Sequence, residues 1–247
     1  MFNPRMNGPF GGRGGFGGRG AFASRYQYQG LPYANEQAGS LISKVMGLLA
    51  FSFLFAFIGA FVGGAIGLGF GGYWVVAIGG LLVLFILNFA INTPGLNLFL
   101  LYLFTFLEGM SLSPLLNIYL QAYPDILAEA FLITAVTSLG LAAYAWTTKR
   151  DFSRLGGILF MGVILLIVAG LVTFFFHSTF LYFIISVAGV GIFSAYVLFY
   201  VQRAKYMADT LPNAIGITVS LFITVLNLFL YILELLTILQ GGNRGRR

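Results

Sequence analysis

Five residues near the C-terminal end of the chain carry the clearest pattern of reactive groups. Ser220, Thr224, Asn227, Tyr231 and Glu234 recur at spacings of four, three, four and three, which places them on one face of an α-helix. The residues between them are Leu, Ile, Val and Phe. A stripe of hydroxyl, amide and carboxyl oxygens on an apolar helix suits interhelical hydrogen bonding, or the wall of a water-filled cavity or cation pathway. A second acidic residue, Glu108, is followed by Gly109-Met110-Ser111-Leu112-Ser113-Pro114. Proline within a helix frees a carbonyl one turn earlier, and Ser111 and Ser113 are placed to satisfy it, so a kink or break is expected beside the carboxylate. Asn88 and Asn92 could supply further oxygens.

The elements that must hold these residues belong to a bilayer. From Val45 to Leu107 the chain runs 63 residues without Asp, Glu, Lys or Arg. A spanning helix takes roughly 20 apolar residues, so this run crosses more than once. The composition agrees: 59% hydrophobic, 8% charged, mean hydropathy +0.94, against about 25% charged in soluble domains. Seven apolar segments are delimited by turn residues, at 42–68, 73–91, 96–120, 126–146, 155–176, 180–202 and 213–239. The fold class is therefore all-α, a polytopic membrane protein of seven transmembrane helices. The polar face of the last segment makes it the central helix. Glu108 falls near the middle of the third segment, with no Lys or Arg at comparable depth. It is expected to be protonated, or to face water or a bound cation. The boundaries are specific: Asn92-Thr93-Pro94-Gly95 is a turn, Tyr123-Pro124 stops the third helix, and Asp125 is placed to cap the fourth. Gly59, Gly63 and Gly67 align on one face of the first segment, allowing close helix approach.

Residues 1–38 form a Gly/Arg-rich tail with four arginines, expected to be disordered and to lie against anionic lipid rather than to bind nucleic acid. Residues 39–240 form the transmembrane domain and 241–247 a short basic tail. Ten of the thirteen basic residues fall on the N-terminal side of a seven-crossing topology, leaving Arg244, Arg246 and Arg247 on the other. That bias puts the N-terminus of this multi-pass protein in the cytoplasm.

Several chemistries are excluded. Without cysteine there is no disulfide and no thiolate metal site, and a single histidine, His177, is too few for a haem or a typical zinc site. No metal centre and no cofactor are expected. An intramembrane serine protease needs a histidine at the depth of its serine. His177 lies at a segment end, whereas Ser111 and Ser113 lie deep, so no enzymatic activity is expected.

Three stretches carry a family resemblance: Glu108-Gly-Met-Ser-Leu-Ser-Pro-Leu-Leu-Asn-Ile-Tyr119, Phe193-Ser-Ala-Tyr-Val-Leu-Phe-Tyr-Val-Gln-Arg203 and Leu221-Phe-Ile-Thr-Val-Leu-Asn-Leu-Phe-Leu-Tyr-Ile-Leu233. Together they resemble the Bax inhibitor (TMBIM) family over about residues 40–240, most strongly the bacterial branch that includes the modulator of the FtsH protease. The resemblance implies a seven-helix fold with a central last helix, and its bacterial-type motifs imply the cell membrane as the location. It further implies a pH-sensitive calcium leak in some members and binding to a membrane protease in others. In the leak members an aspartate pair on the sixth and seventh helices forms a pH-sensing latch. The matching positions here are Tyr200 and Thr224, so both carboxylates are absent and that latch is not carried over. Two functions follow as expectations. One is a calcium or proton leak lined by polar residues of the third and seventh helices. The other is a non-catalytic regulator of a membrane protease or another membrane-protein quality-control partner. Beside the lipid bilayer, the expected partners are accordingly calcium, protons or that protease.

Overall fold

The computed structural model describes residues 34–176 and 178–244. Seven helices follow one another: α1 (Ala34–Ala65), α2 (Phe70–Ala90), α3 (Leu96–Ala122), α4 (Pro124–Thr147), α5 (Leu155–Phe176), α6 (Thr179–Lys205) and α7 (Leu211–Arg244). Each is long and apolar enough to cross a membrane. Among the described residues the protein is all-helical, as the charge-free runs require. Residues 1–33, His177 and residues 245–247 lie outside the described residues. So does most of the tail placed at 1–38; its last five positions, 34–38, fall within α1.

α7 stands in the middle. It packs against α1, α3, α4 and α6, and no residue from 212 to 238 is exposed. Among the described residues the backbone of α2 comes close only to α3 and that of α5 only to α6, so these two form the periphery. A uniformly apolar helix can lie outside the bundle because lipid is as good a solvent for it as protein. The polar face of α7 has no such freedom, and the packing puts it inside.

Small residues set the closest approach, between α1 and α3. Gly59 faces the Phe106 carbonyl, Gly63 faces Ser113, and Gly109 faces the Ala56 backbone. Gly67 does not join this stripe. It ends α1 with φ +63, while Leu68 N donates to Gly63 O (3.0 Å) and Gly67 N to Gly64 O (3.1 Å). This is the hydrogen-bond pair of a glycine-terminated helix, so the third glycine serves the turn and not the interface. Asp125 also differs from expectation. Tyr123 holds the cap position of α4 and Pro124 the first turn, with Asp125 inside that turn, where its charge favours the helix dipole without capping it. At the α2–α3 turn Gly95 takes φ +81. There the buried Asn97 closes the turn, its Nδ2 donating to Ile91 O at 2.9 Å.

Polar contacts tie the connections together at the N-terminal end of the bundle. Gln202 of α6 accepts from Phe152 N and donates to Arg150 O in the α4–α5 connection. Lys44 donates to both carboxylate oxygens of Asp209, at 2.9 and 3.0 Å, joining α1 to the α6–α7 connection. Partial burial pushes the Asp209 carboxyl up. The Lys44 and Ser40 hydrogen bonds and the Lys44 charge outweigh it, and the net direction is down. A carboxylate held low stabilises the fold above its unfolded pKa of about 3.9, and the gain is lost as pH falls through the folded value. Asp209→Asn is therefore expected to lower thermal stability at pH 7 by no more than about 1 kcal/mol, the ceiling for an exposed pair. At about pH 3 the wild type should lose most of that advantage. A deficit of the variant that is the same at both values would show that the ion pair is not its source.

Candidate functional site

The polar face of α7 opens onto a cavity of about 350 Å³. α5 and α7 make no close backbone contact, and the space left between them is bounded by α6. Ser220, Thr224, Asn227 and Tyr231 of α7 lie on its wall, opposite Val163, Leu166 and Ile167 of α5. α6 adds Phe193, Tyr196 and Tyr200. Thr224 lies 13 residues into α7, about 20 Å along its axis, so the cavity sits at mid-depth of the span.

The hydrogen bonds fix what this wall offers. Ser220 Oγ donates to Gly216 O (2.9 Å) and Thr224 Oγ1 to Ser220 O (2.7 Å). Asn227 Nδ2 donates to Ile223 O at 2.8 Å. Each of these side chains commits a hydrogen to its own helix, one turn back. The hydroxyl oxygens keep lone pairs, and Asn227 keeps its carbonyl Oδ1. α7 thus presents a column of acceptors to the cavity, which suits a cation or water molecules that donate.

The tyrosines are held by packing. Tyr196 and Tyr200 stack with centroids 5.5 Å apart, and Tyr231 stacks on Phe193 at 5.6 Å. The Tyr231 ring lies flat on Gly189, where a Cβ would come within about 2.5 Å of three ring carbons. Tyr200 and Thr224, the two positions where the resemblance places aspartates, face the same cavity. In this chain they bring it oxygens that stay neutral near pH 7.

The remaining sequence candidates distribute differently. Glu234 lies one turn beyond Tyr231 on the same face of α7. It marks the far end of the polar face without being part of the cavity wall. Glu108 is not brought to the α7 stripe. Its carboxylate lies over Gly80 of α2, where a Cβ would sit 3.4 Å from Oε1. The α2 backbone approaches α3, and the missing side chain at Gly80 leaves room for the carboxylate between them. Pro114 does not break α3, which is helical from Leu96 to Ala122. Ser113 Oγ donates to Met110 O at 2.8 Å, the carbonyl that Pro114 leaves without its usual partner. Ser111 Oγ donates to Glu108 O at 2.8 Å. Both hydroxyls are thereby spent on the helix itself.

Sequence reasoning missed Tyr196, although it lies four residues before Tyr200 and hence on the same face of α6. The α5 part of the wall, Val163, Leu166 and Ile167, carried no signal, being apolar.

Comparison with known proteins agrees with this architecture. The family described as Inhibitor of apoptosis-promoting Bax1 matches residues 38–241. A Vibrio cholerae protein described as an uncharacterized membrane protein is 36% identical over 171 residues, covering 68% of this chain and 74% of its own length. An uncharacterized Pseudomonas aeruginosa protein is 31% identical over 222 residues, 89% of this chain and 98% of its own. Mouse protein lifeguard 4 is 31% identical over 162 residues, 66% of each chain. With seven spanning helices, α7 central among them, and a match that takes in all seven, this chain belongs to the Bax inhibitor family of multi-pass integral membrane proteins.

Proposed function

We propose that the protein is a cation leak, for calcium or protons, whose pathway runs along the polar face of α7 through the α5–α6–α7 cavity. The observation that carries this reading is the acceptor column of Ser220, Thr224 and Asn227 at mid-depth of the central helix, with its hydrogens turned away to the backbone. A packing role alone would pair those oxygens with a neighbouring helix, whereas here they border a space of about 350 Å³. Glu234, one turn beyond Tyr231, adds a carboxylate at the end of that polar face. The N-terminal end of the bundle faces the cytoplasm in this reading, following the excess of basic residues there.

The test is calcium and proton flux into liposomes holding the purified full chain, measured against pH. Asn227→Leu should lower flux about tenfold, the equivalent of one charge-assisted bond of roughly 1.5 kcal/mol. Glu108→Gln, on the α2 side of α3, should change flux much less. Wild-type flux no greater than that of empty liposomes at every pH would end the leak reading. A regulatory role toward a membrane protease would then be the stronger one.

A further inference from the structure

We propose that a second space, the groove between α1 and α4, holds one acyl chain of an anionic phospholipid, with the headgroup at Lys205 and Trp146. α1 and α4 make no close backbone contact. Between them lies a groove of about 500 Å³, floored by Leu221, Val225 and Phe229 of α7. Its rim residues Phe57 and Leu139 are 69% and 66% exposed, so it opens sideways to the bilayer rather than to water.

The wall chemistry selects hydrocarbon. Thr134 and Ser138 bring the only hydroxyl groups to the groove. Both are spent, Thr134 donating to Ala130 O (2.7 Å) and Ser138 to Thr134 O (2.6 Å). Neither of these lining hydroxyls keeps a hydrogen for a polar guest, and a dry apolar groove open to lipid fills with acyl chain. The groove volume is in the range of small-ligand sites. The groove runs along α1 from Met46 to Ala60, about 21 Å by helical rise, which covers one leaflet's hydrocarbon depth of about 15 Å.

One end carries the charge. Ala142 and Val201 line the groove near its N-terminal-side end. One turn further along the same faces stand Trp146 and Lys205. Lys205 Nζ lies 5.3 Å from the centre of the Trp146 ring, a cation held over an aromatic at the end of two spans, the depth at which headgroups lie. A phosphate there meets the ammonium while its chain descends between α1 and α4. The occupant is a lipid of the leaflet on the N-terminal side.

The test compares palmitoyl-oleoyl phosphatidylglycerol with the matching phosphatidylcholine, retained by the full chain in native mass spectrometry. The wild type should prefer the anionic lipid roughly fivefold, the effect of one basic residue near the surface. Lys205→Gln should remove that preference while leaving total retention intact. Ala135→Phe, on the exposed α4 wall, should lower retention of both lipids. A photoreactive phenylalanine in place of Phe57, a groove-lining position that already carries an aromatic ring, should label lipid in native membranes. Equal retention of the two lipids by the wild type, full retention by Ala135→Phe, or labelling of a protein helix in place of lipid would each overturn the proposal.

Discussion

Gly109→Ala is expected to cost the bundle at least about 2 kcal/mol of stability, although alanine favours a helix over glycine by about 1 kcal/mol. The sign follows from what the added carbon meets. A Cβ at Gly109 falls on the Ala56 carbonyl and Cα, which are backbone atoms of a straight spanning helix and cannot rotate aside. Gly59 against the Phe106 carbonyl and Gly63 against Ser113 show the same approach from the α1 side. α1 and α3 are therefore in contact through their backbones over two turns, and one methyl group forces them apart. In lipid this separation is costly, because packing rather than the hydrophobic effect holds helices together. Gly140→Ala on α4 meets nothing within 4 Å and should be neutral or stabilising. Thermal unfolding of both variants in one detergent reads the difference. Equal midpoints would show that the α1–α3 contact is not what limits stability.

The parts of this structure that were legible in sequence are those decided by a single helix. Seven spans follow from charge-free runs, because each helix answers to the bilayer by itself. The central place of α7 follows from its stripe, because a helix with one polar face has one tolerable environment. The local outcomes at Gly67, Asp125 and Pro114 depended on finer competition. Gly67 was needed for a left-handed turn, Pro124 took the position that pushed Asp125 inward, and the Ser113 hydroxyl repaired the carbonyl that proline had stripped. What sequence could not supply was adjacency. Glu108 reads as a partner for the α7 stripe by depth, yet which face of α3 meets α2 is decided by tertiary packing. The α1–α4 groove left no trace at all, since it is the gap between two helices that are not neighbours in the chain.

The double substitution Tyr200→Asp with Thr224→Asp should convert a flux that varies little with pH into one that rises steeply with it. In the wild type the cavity wall is neutral: Tyr196, Tyr200, Ser220, Thr224, Asn227 and Tyr231 hold no group that ionises between about pH 5 and 8. Cations entering it are stabilised by lone pairs alone. Two carboxyl groups on the same wall titrate as a coupled pair. At low pH the pair carries protons and resembles the present hydroxyl lining. As pH rises it loses them, and the cavity gains negative charge in a medium where one charge at 4 Å is worth about 4 kcal/mol at an effective dielectric of 20. Calcium entry should accordingly increase by more than tenfold across the titration, far more than any single neutral substitution achieves. Tyr200→Asn with Thr224→Asn breaks the same Tyr196–Tyr200 stack without adding charge, so it separates electrostatics from repacking. If the asparagine pair raised flux as much as the aspartate pair, the cavity would be limited by its width. If neither pair altered flux, the cation path would not run through this cavity, and the acceptor column of α7 would be a means of burying polar groups at the centre of the bundle.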